Sequence, residues 1–354
     1  MATPLASLDA LVHPHQIEVQ EFGSYALVID ARSAEAYQDD HIPGAVNVPV
    51  GPRDRPVREP VTDFTGVRDS EPGVPYVLAA HVRRLEAGGA VLVYCDRGGL
   101  DSQVWSEPLK AAGYYVDVLA GGWINYRRWV EAGLDVLPRA LSFRVLVAPP
   151  VSGLSRIVAR LTKRGEQVLD LTALAGQRLV PGLTLSVDTP PSQNAFETQL
   201  LQSLRRFDAR RPVWIRISLC GFGDLVLPPS LRDVVARSVS VRLEVPLGAR
   251  ARAWNECLTS KGADADRLLE ALSESSRPPR AETLDRWRSL YRSGQVVEAL
   301  AEVITAYVEP CRVAEHWQRP PQVVTLPSLA PKALASVVDA WCGAAASSGA
   351  DWTP

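Results

Sequence analysis

Short apolar runs rich in β-branched residues alternate with stretches of helical spacing in the N-terminal part of the chain. Two such runs lie at residues 26–32 and 91–94, and a third lies at 46–50. After the run at 91–94, apolar positions follow helical spacing through Trp105 and Leu109. The short runs predict buried strands, and their alternation with helical patterns predicts a parallel α/β sheet.

A second group of patterns begins near Ser142. A strand at 143–148, a turn, a helix at 157–163 and a strand at 165–171 together predict a βαβ unit. Further strand patterns occupy 212–218 and 240–246, and helical patterns run from Ala249 to the C-terminus. The predicted fold class is therefore α/β, with domains at 1–138 and 139–260 and a helical region at 261–354.

Composition narrows the function classes. The 354 residues carry a formal net charge of −2, so no general basic field indicates nucleic-acid binding, and an RNA contact would use local patches. The five cysteines, at 95, 220, 257, 311 and 342, form no Cys-x-x-Cys pair, which argues against a disulfide framework and a metal site. With no signal-peptide or membrane-spanning pattern, we expect a cytoplasmic protein that binds neither membrane nor DNA.

The strand at 91–94 leads directly into Cys95. The loop that follows, Asp96 to Ser102, contains Gly98 and Gly99 and precedes the helical pattern. Backbone N–H groups in such a loop and the N-terminus of the next helix attract negative charge, which favours a reactive thiolate. The alternative is an inert buried cysteine, which is common for a free thiol.

Several motifs around Cys95 together resemble the rhodanese fold, over residues 15 to 135. They are Asp30-x-Arg32, the block His41-Ile42-Pro43-Gly44-Ala45, the cysteine loop and Gly121-Gly122-Trp123. The resemblance implies a catalytic Cys95 and an active-site loop that consists of Asp96, Arg97, Gly98, Gly99, Leu100, Asp101 and Ser102.

A longer series of phrases resembles the tRNA 2-selenouridine synthase family, in which a rhodanese domain precedes a P-loop domain. This resemblance covers about residues 25 to 260. Its phrases are Tyr94-Cys95-x-Arg97-Gly98-Gly99-x-x-Ser102, residues 168–171 with Arg178 after them, Pro191-x-Gln193-x-x-Phe196-Glu197, residues 213–215, and residues 243–246 followed by Arg250.

The family resemblance implies a reaction on a wobble 2-thiouridine of tRNA. Its sulfur is geranylated from geranyl diphosphate, and the geranylthio group is then replaced by selenium from selenophosphate. These two compounds are the implied co-substrates, and no tightly bound cofactor is expected. The expected partners are tRNA and a small phosphate-bearing ligand.

The predicted P-loop departs from its pattern. A working loop reads Gly-x-x-x-x-Gly-Lys-Ser/Thr, whereas this chain has Ala148 in place of the first glycine and Leu154 in place of the lysine. Pro149 and Pro150 also remove backbone donors. Weak binding of phosphate or tRNA at the helix N-terminus is therefore predicted for Gly153, Ser155, Arg156 and Arg178, with a plain strand–turn–helix connection as the alternative.

Two further departures alter charge. Asp101 stands where the family has an arginine, which places a negative charge beside the predicted thiolate. Arg216 follows the strand at 213–215 where the family has carboxylates.

Three hypotheses follow from these patterns. The first is a selenouridine synthase-like transferase that uses Cys95 as a chalcogen carrier, with tRNA backbone contacts or a merely solvated face at Arg205, Arg206, Arg210 and Arg211. The second is a simple rhodanese-type sulfurtransferase whose second domain is a docking module. The third is a non-catalytic tRNA- or protein-binding paralogue.

Overall fold

A computed structural model describes residues 22–51, 76–83, 85, 89–176, 190–219, 221–260, 265–275, 278–311 and 318–347. The chain divides into two compact units. The first comprises residues 1–137 and 191–202, and the second comprises 138–190 and 203–354. The predicted three-domain division stays a prediction.

The strands, numbered along the chain, are β1 Leu27–Asp30, β2 Val46–Asn47, β3 Ala90–Tyr94, β4 Tyr115–Val118, β5 Phe143–Val147, β6 Gln167–Asp170, β7 Val213–Arg216, β8 Val239–Glu244 and β9 Gln322–Thr325. The α-helices are α1 Ala34–Asp39, α2 Tyr76–Val82, α3 Leu100–Ala111, α4 Gly122–Ala140, α5 Leu154–Lys163, α6 Leu171–Leu174, α7 Gln193–Arg205, α8 Pro229–Arg237, α9 Leu247–Ser260, α10 Ala265–Ser273, α11 Ala281–Arg292, α12 Val296–Val303 and α13 Pro331–Ser347.

The first unit contains a parallel four-stranded sheet in the order β2-β1-β3-β4. Strand β3 pairs on both sides and is buried over 91–94, which is why it reads as a continuous apolar run. Ile29, Val91 and Val93 pack with Trp105 and Leu109 of α3 in one core. This core fixes the end of β3, and with it the start of the cysteine loop.

Residues 191–202 belong to the first unit although they follow the second sheet's first two strands in the chain. The Oγ1 atom of Thr198 on α7 donates to Asp40 Oδ2 at 2.6 Å, and Arg127 of α4 pairs with both Asp40 and Glu197. Phe196 is fully buried. The Pro-x-Gln-x-x-Phe-Glu phrase is therefore explained by packing and ion pairing inside the first unit.

The second unit contains a parallel five-stranded sheet in the order β6-β7-β5-β8-β9. The predicted strand–turn–helix at 143–163 is β5, a turn and α5, with β5 in the centre of the sheet. A separate helical core brings together Trp254, Trp287 and Leu300 from α9, α11 and α12. The predicted α/β class with parallel sheets is confirmed.

Strand β9 corrects the expectation that only helices follow Ala249. It pairs in parallel with β8, and its residues alternate between half-buried and exposed. Four residues after Pro320-Pro321 give too short a pattern to be distinguished from a loop, and prolines are tolerated beside an edge strand.

Candidate functional site

Cys95 follows the last residue of β3, at the carboxyl end of the parallel sheet. Its residue surface is 5% exposed, whereas Asp96, Arg97 and Gly99 of the loop are exposed. The backbone N–H groups of residues 96–99 donate to no acceptor in the described part of the chain. The loop ends at Gly99, the N-cap of the 12-residue helix α3, which has no side-chain cap. The thiol is thus followed by unpaired donors and a helix N-terminus, a setting that stabilises an anion.

Two glycines allow the cysteine loop to meet the Gly-Gly-Trp loop. A Cβ on Gly122 would lie 2.3 Å from the carbonyl oxygen of Cys95 and 2.5 Å from the nitrogen of Gly98. A Cβ on Gly98 would lie 2.4 Å from the carbonyl oxygen of Leu119. Both glycines also have positive φ, 67° at Gly98 and 57° at Gly122. The two motifs that were separate in the sequence are therefore one backbone-to-backbone contact.

Hydrogen bonds hold this contact in place. The N–H of Trp123 donates to the carbonyl oxygen of Cys95 at 2.8 Å, and the N–H of Ile124 donates to that of Asp96 at 3.1 Å. Because the carbonyls are used in this way, the orientation of the peptide groups at the start of the loop is set by α4. The loop is preorganised by the fold around it.

A buried ion pair between Arg32 and Asp30 helps to hold the cysteine loop in place. Arg32 donates from Nη2 to Asp30 at 2.7 Å and to the carbonyl oxygen of Asp40 at 2.6 Å. Its guanidinium lies over the Trp123 ring, 3.9 Å from the ring centroid. The hydroxyl of Tyr94 donates to Asp30 Oδ2 at 2.6 Å. The Asp-x-Arg motif therefore fixes both the residue before Cys95 and the tryptophan of the neighbouring loop.

The pKa values of Arg32 and Tyr94 are both raised in this cluster. Burial alone would lower the pKa of Arg32, but its hydrogen bonds and charge interaction with Asp30 outweigh burial and raise it. Burial raises the pKa of Tyr94, and the Asp30 charge raises it further. Tyr94 consequently keeps its proton and acts as a donor to Asp30.

The remaining loop residues have different surroundings. Leu100 is 71% exposed, and Asp101, half-buried, lies in the first turn of α3. Ser102 is fully buried, and among the described residues its Oγ has no hydrogen-bond partner; the same holds for Ser106 one turn later. Of these two unsatisfied hydroxyls, only that of Ser102 belongs to the predicted active-site loop.

The predicted phosphate residues lie in the second unit, at the turn between β5 and α5. Gly153 is the N-cap of α5 with φ of 72°, Ser155 is exposed, and Arg156 is half-buried. Leu154, in the lysine position, is 7% exposed and belongs to the sheet's core. Arg178 lies outside the described residues.

Arg250 follows one of the sequence phrases that resemble the family, but the sequence predicted no role for it. The residue is 4% exposed, and its Nε donates to the carbonyl oxygen of Pro150 at 3.1 Å. Its Nη1 pairs with Glu309 Oε1 at 2.8 Å. A cation thus lies against the turn that lost its lysine, although 100 residues separate Arg250 from Pro150 in the chain.

Comparisons with known proteins bear on both units. Residues 16–128 match the family model of the rhodanese-like domain. The first unit is a rhodanese domain. The crystal structure of the BH2092 protein from Bacillus halodurans is 20% identical and covers 32% of this chain and 66% of its own, at a TM-score of 0.22. A score that low carries no argument about the fold.

Longer matches extend beyond the rhodanese domain. The tRNA 2-selenouridine synthase of Nitrosomonas europaea is 25% identical over 275 residues, which cover 73% of this chain and 69% of that protein. That of Hahella chejuensis is 26% identical over 255 residues, covering 65% and 62%. That of Nitrosomonas eutropha is 27% identical over 164 residues, covering 45% and 41%. The resemblance to this family is confirmed, and the chain is a divergent relative of these proteins.

Arg216 and three of the arginines predicted to contact tRNA lie in the second unit. Arg216, where family carboxylates were expected, donates from Nη1 to Asp170 Oδ2 at 3.0 Å. Arg206, Arg210 and Arg211 are exposed after α7, and Arg211 donates to the carbonyl oxygen of Gly165 at 2.6 Å. Arg216 is half-buried in its ion pair, whereas Arg206, Arg210 and Arg211 are surface groups.

None of the helices within the described ranges combines the length and the hydropathy that a membrane-spanning segment requires. Across those same ranges, no three His, Cys, Asp or Glu side chains are grouped so that they could hold a metal ion.

Proposed function

We propose that this protein transfers sulfur or selenium in the modification of tRNA, with Cys95 as the covalent carrier. The observation that carries the proposal is the loop itself, in which Cys95 precedes the N-terminus of α3 and four backbone N–H groups without an acceptor among the described residues. The rhodanese match supports a sulfur-transferring enzyme, and the relatives named tRNA 2-selenouridine synthase support tRNA as its substrate.

The loop suits formation of a persulfide. The Cys95 thiolate attacks the outer sulfur of a donor such as thiosulfate, an S–S bond forms, and sulfite leaves with the electrons of the broken bond. The product carries its negative charge on the terminal sulfur. Preorganised N–H groups in the loop after Cys95 would stabilise that charge without reorganisation, which is how such loops lower a barrier.

The finer form of the proposal follows the family reaction. Geranyl diphosphate would supply the alkyl group for 2-thiouridine, and selenophosphate would supply the selenium that replaces the geranylthio group, with Cys95 carrying the chalcogen as a persulfide or selenylsulfide. Gly153, Ser155, Arg156 and Arg178 are proposed to contact diphosphate or tRNA phosphate.

A second candidate is a rhodanese-type sulfurtransferase with the second unit as a docking module. The burial of Leu154 in the sheet's core favours it, because that side chain replaces the phosphate-binding lysine of the pattern. A non-catalytic tRNA- or protein-binding paralogue is the third candidate, and it requires no reaction at Cys95.

One experiment separates these functions. The purified chain is treated with thiosulfate and analysed for a 32-dalton persulfide adduct by mass spectrometry, about the mass of one sulfur atom. It is then titrated with tRNA that carries 2-thiouridine or its geranylated form, against unmodified tRNA, at fixed salt. Cys95→Ala is compared with Cys257→Ala, which removes another free cysteine.

The synthase-like function predicts an adduct lost only in Cys95→Ala and tighter binding of the modified tRNA. An adduct without discrimination between tRNAs would leave the sulfurtransferase. No adduct on Cys95 with thiosulfate would contradict catalysis and leave the binding paralogue.

A further inference from the structure

The turn between β5 and α5 retains the backbone of an anion-binding loop although its sequence pattern is lost. Val151 and Gly153 both have positive φ, 63° and 72°. The N–H groups of residues 151–155 donate to no acceptor in the described part of the chain, whereas that of Arg156 already donates to the carbonyl oxygen of Gly153 at 2.9 Å. Successive N–H groups in such a turn form a concave nest for negative charge.

Two buried side chains at this turn are also unsatisfied. Ser152 is 2% exposed, and its Oγ has no hydrogen-bond partner among the residues that the structure describes. Arg250 is 4% exposed, and its Nη2 has no partner among them either, although its Nε is bonded to the carbonyl of Pro150. Leaving buried donors unpaired is costly, particularly on a charged group. Both observations indicate a ligand that accepts hydrogen bonds.

The positive φ of Val151 indicates that the surrounding fold maintains the nest. Positive φ is unfavourable for a β-branched residue such as Val151. Its side chain packs against the helical core that contains Trp254 and Leu258 of α9. The same helix carries Arg250, so one helix both holds the turn in its left-handed conformation and supplies the cation.

We propose that this turn and Arg250 bind a phosphate-type oxyanion, with the Arg250 guanidinium in place of the lysine that Leu154 replaces. The donors are the N–H groups of residues 151–155, the Ser152 hydroxyl and Arg250 Nη2. An oxyanion offers only acceptors and negative charge, and therefore satisfies them all. The inference rests on the phosphate contact proposed above for Gly153 and Ser155, and it is independent of the Cys95 chemistry.

Glu309 provides the sharpest test because it already pairs with Arg250. Its carboxylate opposes a bound anion by like-charge repulsion and competes for the guanidinium. Glu309→Gln should therefore strengthen anion binding. An increase in affinity is a change that partial unfolding does not produce.

The experiment is titration calorimetry of the full chain with inorganic phosphate at constant ionic strength. Ser152→Ala and Arg250→Gln should each weaken binding about tenfold or more, the loss expected for a hydrogen bond to a charged group. Glu309→Gln should tighten it. Arg252→Gln is the matched control, because Arg252 is an exposed arginine two residues along the same helix and should leave the affinity unchanged.

Competition experiments identify the kind of molecule that supplies the anion. Inorganic pyrophosphate and an unmodified RNA oligonucleotide are added against phosphate, so that displacement distinguishes a diphosphate from an RNA backbone. The proposal is overturned if phosphate and pyrophosphate both fail to bind, or if Glu309→Gln and Ser152→Ala change the affinity no more than Arg252→Gln. Persulfide formation at Cys95 is measured separately, so its loss and the loss of anion binding are distinguishable.

Discussion

Gly122→Ala is the change that tests most directly how the cysteine loop is held. The added Cβ would lie 2.3 Å from the carbonyl oxygen of Cys95 and 2.5 Å from the nitrogen of Gly98. Both neighbours are backbone atoms, so no side chain can rotate away, and the loop itself must move. Gly121→Ala is a matched control, because Gly121 also has positive φ but its Cβ would meet only the Asn125 side chain, at 3.1 Å.

Both substitutions lower the free energy of unfolding through the positive φ of the glycine, but only Gly122→Ala also introduces a steric clash. Placing alanine at positive φ costs roughly 1 to 2 kcal/mol at either position. Overpacking against a structure that cannot yield adds about 1 to 3 kcal/mol, and this applies to Gly122→Ala alone. Because the N–H of the next residue, Trp123, donates to the Cys95 carbonyl at 2.8 Å, the displaced atoms are those that orient the loop.

The assay combines stability with loop function. Urea unfolding gives the free energy of the rhodanese unit, followed by a signal from its own tryptophans because a chain of two units need not unfold in one step. The rate of persulfide formation at Cys95 reports on the loop. Gly122→Ala should lose most of that rate while Gly121→Ala retains it. Equal losses in both variants would show that backbone conformation, and not the contact between the loops, is what matters, and would refute the reasoning.

Three further outcomes are expected. Asp30→Asn should lower the free energy of unfolding by roughly 3 to 5 kcal/mol in urea titrations, because it leaves the buried Arg32 charge uncompensated; a loss below 1 kcal/mol would contradict this. Ser102→Ala should slow sulfur transfer about tenfold whereas Ser106→Ala should not, since only Ser102 lies at the end of the cysteine loop; identical rates would remove Ser102 from the site. Burial raises the pKa of Asp40, so the native state holds its proton more tightly than the unfolded state does. The free energy of unfolding therefore falls as the pH rises from the unfolded-state pKa of this carboxyl to its raised native pKa. The stability of Asp40→Asn relative to the natural chain should therefore increase with pH, and a pH-independent difference in denaturation would refute it.

Local patterns predicted the parts of the fold in which strand, turn and helix are consecutive. The run at 91–94 and the run at 143–148 became β3 and β5, each followed by a tight turn and a helix. Strand β9 was not predicted because four alternating residues form a strand only when β8 pairs with them. The placement of 191–202 in the first unit was also beyond the sequence, since it depends on Asp40 and Arg127, far away in the chain.

The same distinction applies to the site. Cys95 could be found because its loop is continuous and its glycines leave a visible pattern. Arg250 could not be assigned a role, because the sequence gives no sign that α9 packs against a turn 100 residues earlier. Its role depends on a side-chain contact between segments that are distant in the chain. Such a contact produces no regular spacing of residues that could be recognised in the sequence.

The surroundings of the two turns also explain why the cysteine loop matches its family pattern whereas the turn between β5 and α5 does not. In the cysteine loop, Gly98 and Gly122 face backbone atoms that cannot give way, so a side chain at either position is incompatible with the contact. In the second turn, the space next to Gly153 is bounded by the Leu329 side chain, which can adjust, and Val151 tolerates positive φ because its side chain is packed in the helical core. Substitution there changes the motif while the backbone keeps its shape. The degenerate P-loop sequence therefore shows that the lysine is lost, but it does not show that the anion-binding backbone is lost. Among the described residues, the unsatisfied Ser152 Oγ and Arg250 Nη2 are the better indicators of that backbone's role.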